Sequence, residues 1–479
     1  MARVHRKLIR RPRTAGGRLL LFLFLLLSIP VAGKAASPSL KETFTLSWRW
    51  RAETLELVIQ GPEDLEVRLP RGSFLPKVVV DVAAAPDPGV PHSIFLGDVA
   101  FQRIRVQDGP LGGQIVVDLE YPLPPPQVSR TEEGIVVAVT KRFRTVDETY
   151  VAPGVWFGQA RVGEVWGPVT VKYLKVATAH PHVRVYPVLA GDVFGLAKVS
   201  DVVARRGALA AVNGGYYHWS GRPLGLLIVD GQLISQDIYG RTALGFREDG
   251  TLFISPLSVE MWLETDLGRI PLDGINRPRA RGEAVVYTSH YGALPRPTGT
   301  RFAILYGTVL RDPGWQEVPA GALVIEFDEG DTRFGDLKAG QRASFAYQVA
   351  PGQEGSVRFA IGGGPRLLAG GEICVTGERE RFQPDVVSGR APRTAAGLDE
   401  DGFLYLVVAD GRGAGGSSGM TLEELASFLK ELGLKEALNL DGGGSSTLAL
   451  RGRVFNHPSV GEERAVATAL VVDVGAGGQ

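Results

Sequence analysis

The sequence predicts an α+β (mixed α/β) domain, with a central multi-stranded sheet and flanking helices, after a small all-β sandwich. Residues 43–139 alternate apolar and polar positions in short runs separated by turn residues, which is typical of β-strands. Further along, four apolar runs each end in Asn, Gly or Asp followed by glycine. Thr421 and Glu424 form a capping-box pattern before leucines at helical spacing, which predicts one amphipathic helix up to Gly433.

Composition indicates a folded protein and gives no sign of a nucleic-acid partner. The 479 residues carry 52 Lys and Arg against 52 Asp and Glu, so no net field attracts nucleic acid. With 44% hydrophobic residues, about two or three domains can be stabilised by core burial. The single cysteine, Cys374, excludes an internal disulfide, and no Cys-His spacing typical of a metal site occurs.

Residues 1–36 have the pattern of an export signal. Basic residues between Arg3 and Arg18 precede an apolar run over residues 19–29, and small residues follow. This pattern predicts a signal peptide, and the alternative is an uncleaved N-terminal anchor. In both cases we expect the protein to be exported, to an extracellular, periplasmic or cell-surface location.

The rest of the chain is predicted to form two domains. Residues 43–141 are the all-β domain, residues 141–149 are a polar junction, and residues 151–474 are the larger domain. In the larger domain a helix is predicted over residues 198–207, with Ser200 or Asp201 as its cap. Strands among Gly and Pro turns between residues 250 and 350 indicate an inserted sheet region.

The candidate site lies where the four glycine-terminated strands are expected to meet. Strand ends gathered at one sheet edge would form a single cleft. The last of them, Asn439-Leu440-Asp441, continues into glycines and two serines, whose N–H groups beside a carboxylate are suited to an anion, phosphate above all. The alternative is a tight glycine turn between two strands. The strands end at Asn213-Gly214-Gly215, at 362–364, at Asp410-Gly411 and at Asp441-Gly442.

These motifs together resemble the phosphodiester glycosidase family. The resemblance covers about residues 151–474 and implies hydrolysis of the bond between a sugar's anomeric carbon and a phosphodiester. In the best known member the sugar is N-acetylglucosamine, and the sugar of this chain stays open. Six motifs occur in the family's order, at 211–217, 363–367, 392–397, 408–412, 439–446 and 456–459 with 463–464.

Residues 43–141 resemble a second family, the AMIN domain. The resemblance rests on the segments 75–81, 103–106 and 115–119. It implies a β-sandwich targeting module of the bacterial envelope, often associated with peptidoglycan. A peptidoglycan contact through this domain is therefore expected.

The chemistry of such a substrate suggests a role for each candidate residue. A sugar 1-phosphodiester leaves as a phosphomonoester, so stabilising its negative charge matters more than protonating it. Arg393 and Arg412 are the candidates for this, because a guanidinium matches phosphate oxygens bidentately. Asp441 and Asp410 are the candidate nucleophile or base, and Asn213 could bind sugar hydroxyls. The other candidate substrate-binding residues are Gly214, Gly215, Arg366, Thr394, Asn439, Gly442, Gly443, Gly444, Ser445, Ser446 and Asn456.

Most of these residues could instead have a structural role. Asp410-Gly411 could be only a turn, and Asn213 could cap one. Arg393 could pair with Asp399 or Glu400, and His457 could be structural instead of an acid or base. Thr394 could support the site, and Glu463 and Arg464 could pair with each other or position their loop. Asp410 and Asp441 could together bind Ca²⁺ or Mg²⁺, and beyond these ions no cofactor is expected.

Two functions follow from this interpretation. The first is an exported hydrolase of sugar 1-phosphodiesters in the bacterial cell envelope, with a phosphorylated glycan or sugar phosphate as substrate. The second is a non-catalytic envelope protein that binds peptidoglycan or a phosphorylated glycan. A pure binding module could dispense with carboxylates beside an anionic ligand, so Asp410 and Asp441 favour the hydrolase.

Overall fold

The computed structural model describes residues 43–61, 64–70, 76–350 and 357–475. The predicted export segment, residues 1–36, lies outside the described residues. Within the described ranges, no helix has the length and apolar character needed to cross a lipid bilayer.

Residues 43–140 form two five-stranded sheets around one apolar core. Alternate side chains such as Val78 and Val80 are fully buried between the sheets, which accounts for the two-residue period of the sequence. The described strands are β1 (Thr43–Arg51), β2 (Thr54–Gln60), β3 (Leu65–Arg68), β4 (Lys77–Val82), β5 (Ala85–Pro86), β6 (Ser93–Phe95), β7 (Phe101–Gly109), β8 (Gly112–Leu119), β9 (Gln127–Thr131) and β10 (Gly134–Thr140). Their order is β5-β1-β2-β10-β9 in one sheet and β3-β4-β8-β7-β6 in the other.

The remaining elements follow in chain order. They are β11 (Phe143–Ala152), β12 (Val155–Glu164), β13 (Gly167–Val176), β14 (Val183–Leu189), α1 (Val199–Arg206), β15 (Ala210–Asn213), β16 (Leu227–Val229), β17 (Gln232–Ser235), β18 (Thr242–Arg247), β19 (Leu252–Pro256), β20 (Ser258–Thr265), β21 (Gly268–Leu272), β22 (Gly274–Ile275), β23 (Val285–Tyr287), β24 (Thr300–Leu305), β25 (Thr308–Arg311), β26 (Ala322–Phe327), β27 (Ala343–Ala350), β28 (Val357–Gly362), β29 (Arg366–Ala369), β30 (Glu372–Ile373), α2 (Pro384–Ser388), β31 (Arg393–Asp399), β32 (Leu404–Ala409), α3 (Leu422–Glu431), β33 (Leu434–Asn439), β34 (Leu448–Leu450), β35 (Arg453–Val454) and β36 (Thr468–Val474). Short 3₁₀ turns occur at Ser289–Tyr291, Thr332–Phe334, Ala414–Gly416 and Gly443–Ser445.

The protein is mostly β, so the predicted α+β domain with flanking helices is wrong. The described residues contain three α-helices, and the longest, α3, has 10 residues. Beyond the first two, the sheets have the orders β11-β12-β13-β32-β31-β33-β29-β30, β14-β36-β15-β34-β35, β17-β16-β28-β18-β19, β21-β20-β27 and β22-β23-β26-β24-β25. An apolar run ending in glycine indicates a buried strand but does not fix the direction of its neighbour. Here the neighbours are nearly all antiparallel, so few crossover helices are needed.

The predicted polar junction is also replaced by a strand. Residues 143–152 form β11, an edge strand that pairs with β12 from Phe143 opposite Gly163 to Ala152 opposite Val155. Its charged residues therefore reflect the exposed edge of a sheet rather than a linker.

Helix α3 forms as the sequence predicts and supports the strand that leads to the candidate site. Glu424 N–H donates to Thr421 Oγ1 at 3.2 Å and Thr421 N–H donates to Glu424 Oε2 at 2.9 Å, which confirms the capping box. Leu422, Leu425 and Leu429 are fully buried against the eight-stranded sheet. Because β33 follows α3 directly, this packing fixes where Asn439 and Asp441 emerge.

Helix α1 forms within the predicted range, but its N-terminus is bonded by a residue far along the chain and not by the predicted caps. Lys198 occupies the N-cap position without a side-chain hydrogen bond, so Ser200 and Asp201 are not its caps. Instead Ser200 N–H donates to Glu463 Oε1 at 2.9 Å, and the Ser200 hydroxyl donates to Glu463 Oε2. A carboxylate at a helix N-terminus is favourable, so Glu463 ties the loop of residues 458–466 to α1.

One core gathers the glycine-terminated strands. Val408 and Leu438 on the eight-stranded sheet pack with Val212 on the sheet of β15 and with Ile361 on β28, all at most 1% exposed. The ends of β15, β28, β32 and β33 therefore come together although they belong to three sheets.

We predict that Leu425→Ala lowers the free energy of unfolding by about 2–5 kcal/mol, because it leaves a cavity between α3 and the sheet. Urea unfolding measured by circular dichroism tests this. Glu423→Ala, at an exposed position of the same helix, is the control. Equal unfolding of the two variants would contradict the packing described for α3.

Candidate active site

Asn213 joins the strand ends into one unit. Its side-chain Nδ2 donates to Asp441 O at 2.7 Å and to Gly214 O at 3.3 Å. Its Oδ1 accepts from Thr394 Oγ1 at 2.8 Å and from Thr447 N–H at 3.1 Å. Asn213 is 0% exposed, and these bonds use its whole hydrogen-bonding capacity. It therefore holds the site together, and Thr394 supports it; the predicted contact of Asn213 with a sugar has no polar atom left to make it.

Asn439 links a second pair of strand ends. Its Nδ2 donates to the Tyr216 hydroxyl at 2.9 Å, to Gly364 O at 3.3 Å and to Leu440 O at 2.6 Å. Its Oδ1 is buried without a hydrogen-bond partner among the described residues. An unsatisfied buried acceptor costs about 1–3 kcal/mol, so this oxygen is suited to accept from a bound hydroxyl or amide.

Gly214 and Gly215 allow the strand ends to approach closely. A Cβ at Gly214 would lie 2.3 Å from Thr468 Oγ1, and one at Gly215 would lie 2.3 Å from Gly362 O. Both positions therefore exclude any larger residue. In the structure, Gly214 and Gly215 allow close packing of the backbone. Their contact with a substrate stays a prediction.

Three arginines surround the glycine turn after Asp441, and we call them the arginine cluster (Arg393, Arg412 and Arg464). Measured from the position that a Cβ would take, Gly442 lies 3.8 Å from Arg393 Cδ, Gly443 lies 3.4 Å from Arg412 Nη2, and Gly444 lies 2.4 Å from Arg464 Cζ. Larger side chains would displace the guanidinium groups at the second and third positions. Gly443 and Gly444 therefore make room for the guanidinium groups of Arg412 and Arg464, which come from separate parts of the chain.

No member of the cluster has a carboxylate within 4 Å in the part of the chain that the structure describes. Arg393 is 3% exposed; its Nε donates to Met420 O at 2.9 Å and its Nη2 to Gly389 O. Burial lowers its pKa. The ion pairs considered for it do not form, since Asp399 accepts from Phe403 N–H and Glu400 pairs with Lys435. A buried guanidinium without a counter-charge is costly, so the position of Arg393 is suited to a bound anion.

The backbone amides of the glycine turn contribute less than the sequence suggests. Gly443 N–H donates to Pro392 O at 2.8 Å, Ser445 N–H to Gly442 O at 3.2 Å and Ser446 N–H to Gly443 O at 3.3 Å. The Ser445 and Ser446 amides close a 3₁₀ turn, and the Gly443 amide bonds to the segment before β31. Anion recognition in this site therefore falls mainly to the guanidinium groups.

Asp441 has a carboxyl group that titrates near neutral pH. Burial raises its pKa to about 6, against the opposing effects of the Ser445 hydroxyl, the Gly442 N–H and the positive charge of Arg464. Burial and the negative charge of Asp441 raise the pKa of the Tyr216 hydroxyl. A carboxyl with a pKa in this range can give or take a proton under physiological conditions.

The carboxylate of Asp410 is bonded to His457. Asp410 Oδ1 accepts from His457 N–H at 2.9 Å, and its Oδ2 lies 2.9 Å from His457 Nδ1. Asp410 is 1% exposed, whereas the His457 side chain is 54% exposed. The carboxylate thus orients the imidazole with Nε2 directed away from it, an arrangement that suits a general base. Sequence reasoning left His457 undecided, because the pairing spans 47 residues.

The donors present do not fit the predicted Ca²⁺ or Mg²⁺ site. Both oxygens of Asp410 are engaged by His457. Within the described ranges, no group of three or more His, Cys, Asp or Glu side chains is arranged to hold a metal ion. A hard cation takes six or more oxygen ligands, and the arginine cluster beside Asp441 would repel it.

Two predicted substrate-binding residues are committed to structural contacts. Arg366 pairs with Glu436, and its Nε donates to Leu368 O at 3.1 Å. Asn456 accepts from Leu448 N–H and donates to Ser446 O, both at 2.9 Å. Asn456 therefore anchors the end of the glycine turn, while the Arg366 guanidinium is neutralised elsewhere on the sheet.

Two residues that sequence reasoning did not assign also shape the site. The Tyr217 hydroxyl lies 3.3 Å from Ser445 Oγ and donates to Ala465 O at 3.0 Å. Glu380, 5% exposed, accepts from Thr242 N–H at 3.0 Å and Thr242 Oγ1 at 2.8 Å, and from Arg366 N–H at 3.0 Å. Neither role follows from local sequence, because Tyr217 meets Ser445 across 228 residues and Glu380 meets Thr242 across 138 residues.

One cavity lies away from these residues. It measures about 600 Å³ and is lined mainly by β14, β18, β19 and β28. None of the predicted site residues lines it.

Comparison with known proteins supports a glycosidase-type domain over part of the chain. Residues 306–473 match the family model described as phosphodiester glycosidase. The N-acetylglucosamine-1-phosphodiester alpha-N-acetylglucosaminidase of Mus musculus is 40% identical over 88 residues, which is 18% of this chain and 16% of that protein. The SPbeta prophage-derived uncharacterized protein YomE of Bacillus subtilis (strain 168) is 42% identical over 81 residues, 17% of this chain and 12% of that protein. The chain thus spans less than a fifth of these relatives.

A solved structure shares the fold. The crystal structure of a hypothetical protein from Synechocystis superposes with a TM-score of 0.61 at 21% identity, over 91% of this chain and 81% of that chain. At this identity the likeness shows the fold alone.

The matched family segment contains the arginine cluster, Asp410, Asp441 and His457, whereas Asn213 precedes it.

We predict that Asp441→Asn stabilises the protein above pH 6. Because the folded-state pKa of Asp441 is raised to about 6 from its ordinary value of 3.8, the native state holds this proton more tightly than the unfolded state. Its contribution to stability is fully present below pH 3.8 and is lost as the pH rises through about 6. The variant should therefore gain about 1–3 kcal/mol over the wild type at about pH 8 and little at about pH 4.

Urea unfolding of both proteins between about pH 4 and pH 8 measures this difference. Asp401→Asn, which changes an exposed carboxylate, is the control and should follow the wild type. Parallel pH profiles of wild type and Asp441→Asn would contradict the raised pKa.

Proposed function

We propose that this chain hydrolyses the glycosidic bond of sugar 1-phosphodiesters. The observation that carries the proposal is the arginine cluster without carboxylate partners among the described residues, placed against the turn that follows Asp441. Three guanidinium groups match a phosphate, and they stabilise the negative charge that develops as a phosphomonoester departs. The partial match to the phosphodiester glycosidase family supports the same reaction class.

The residues of the site divide the reaction between them. The arginine cluster binds the phosphate, and His457, held by Asp410, removes a proton from the attacking water through Nε2. The water oxygen forms a bond to the anomeric carbon while the bond from that carbon to the phosphate oxygen breaks. Asp441 lies on the phosphate side, because its turn carries the glycines that face the arginines. We assign it as the acid that donates a hydrogen bond to the leaving oxygen, since the leaving phosphate has a second pKa of about 6, similar to its own.

We further propose N-acetylglucosamine as the sugar and a phosphorylated glycan or sugar phosphate of the bacterial envelope as the substrate. The sugar is suggested by the name of the Mus musculus relative. The export pattern of residues 1–36 supports an extracytoplasmic location, and the AMIN resemblance of residues 43–141 supports a contact with peptidoglycan.

Arginine-cluster variants test the anion site. We predict that Arg412→Met and Arg393→Met each lower kcat about 100–1,000-fold, because each removes a charge that stabilises the leaving phosphate. The assay measures free sugar released from UDP-N-acetylglucosamine and from methylphospho-N-acetylglucosamine. Arg281→Met, at an exposed position outside the site, is the control and should keep full activity.

Arg412 is exposed, so its substitution should not disturb folding. A loss of activity in Arg412→Met therefore reports on the chemistry, whereas Arg393→Met could also misfold because Arg393 is buried. Hydrolysis by Arg412→Met at the wild-type rate would contradict the assignment. If the wild type binds these compounds but releases no sugar, the chain is a binding module instead.

The Asp410–His457 pair gives a separate prediction. His457→Gln and Asp410→Asn should each lower kcat about 100–10,000-fold, and the double variant should be no worse than the poorer single variant, because the two groups act as one base. Steady-state kinetics of the three variants tests this. Additive losses, or full activity of His457→Gln, would show that His457 is not the base.

A further inference from the structure

Three loops beside the candidate site are bonded to one another. The loops of residues 191–198 and 458–466 meet through two backbone hydrogen bonds between Ala197 and Val466, at 3.0 and 2.9 Å. The loop of residues 216–223 packs on the first, where a Cβ at Gly221 would lie 2.5 Å from the Gly195 carbonyl carbon. It also reaches the third loop, since the Tyr217 hydroxyl donates to Ala465 O. These loops form one continuous margin next to Ser445 and Arg464.

This margin exposes four apolar side chains, which we call the apolar rim (Val193, Leu196, Trp219 and Val460). They are 45%, 43%, 81% and 51% exposed, respectively. Single exposed apolar residues are common on soluble proteins, but four on connected loops beside an anion site indicate a binding surface.

The loop that carries Trp219 is held in place by its own hydrogen bonds. His218 N–H donates to Arg222 O and Gly221 N–H to His218 O, both at 2.8 Å. The His218 ring lies 4.9 Å from the Trp219 ring. Trp219 is two residues from Tyr217, so their Cα atoms are at most about 7.6 Å apart. The exposed indole therefore belongs to a short loop that contacts Ser445 and Ala465 through the Tyr217 hydroxyl.

The apolar rim and the arginine cluster together fit an amphiphile. The cluster takes a phosphate, and the rim beside it consists of Trp, Val and Leu side chains, which bury hydrocarbon favourably. A glycan aglycone would instead need several free side-chain hydrogen-bond partners, whereas the polar side chains on either side of Trp219, His218 and Ser220, are bonded to each other at 2.9 Å.

We infer that the apolar rim binds the hydrocarbon part of the aglycone, so that the substrate is a lipid-linked sugar phosphate. In this substrate the phosphate joins the anomeric carbon of the sugar to a lipid alcohol. Water adds at the anomeric carbon, the bond from that carbon to oxygen breaks, and the lipid monophosphate leaves with the electron pair. The inference rests on the proposed function and names the aglycone that the same site accepts.

The test compares N-acetylglucosamine 1-phosphodiesters of methanol and of farnesol, each below its micelle concentration, with the full chain. The wild type should cleave the farnesyl ester with a kcat/KM at least about 10-fold higher than the methyl ester. Trp219→Ser combined with Val460→Ser should abolish this preference and leave the methyl ester unaffected. Tyr306→Ser changes an aromatic residue that is 84% exposed in the turn between β24 and β25, and it should change neither value.

Several outcomes would overturn the inference. One is equal kcat/KM for both esters in the wild type, and another is an equal loss on both in the double variant. A third is a faster reaction with an oligosaccharide ester that the double variant loses. Reduced binding to lipid vesicles or reduced self-association in the double variant, without a chain-length preference in the wild type, would assign the rim to a bilayer or a second copy.

Failure of the proposed function can be separated from failure of this inference. If neither ester is cleaved, the reaction is wrong, and binding of farnesyl phosphate then tests the rim alone. Quenching of tryptophan fluorescence by farnesyl phosphate that is lost in Trp219→Ser would support the rim. No difference from inorganic phosphate would refute it.

Discussion

The hydrogen-bonding of one buried amide, that of Asn213, holds the site together. Its two donors and its oxygen connect β15 with Asp441 O, with Thr394 on β31 and with Thr447 after the glycine turn. These segments belong to different sheets, so packing of the apolar core alone would leave their polar ends free to shift. Because a buried amide must satisfy all of its groups, this arrangement fixes the strand ends in one geometry.

The site that Asn213 holds together contains two charged groups in unfavourable surroundings. Arg393 is buried without a carboxylate partner among the described residues, and burial raises the pKa of the Asp441 carboxyl. Arg393 and Asp441 do not form an ion pair with each other. Such a pair would stabilise both charges and make both groups less reactive. An anionic substrate would supply the missing charge, so binding energy would become available where negative charge develops during the reaction. The Asp410–His457 pair lies close by in the chain, since only Gly411 separates Asp410 from Arg412.

Sequence patterns predicted individual elements better than their assembly. The capping box of α3 follows local rules, and it occurs as expected. The predicted mixed α/β architecture was wrong, because an apolar strand that ends in glycine has the same sequence pattern in parallel and antiparallel sheets. For the site, the motifs located the arginines and Asp441. They could not show that Asn213 is saturated internally, or that Asp410 bonds His457 across 47 residues, because both depend on contacts between distant segments.

The central claim is that bond cleavage occurs at the anomeric carbon, with the phosphate held by arginines as the leaving group. Hydrolysis of a sugar 1-phosphodiester in ¹⁸O-labelled water, followed by mass spectrometry of both products, tests it most directly. The account predicts that the label enters the sugar and that the phosphomonoester stays unlabelled. Label in the phosphate would mean attack at phosphorus, and it would contradict the assignment of the arginine cluster as a leaving-group site.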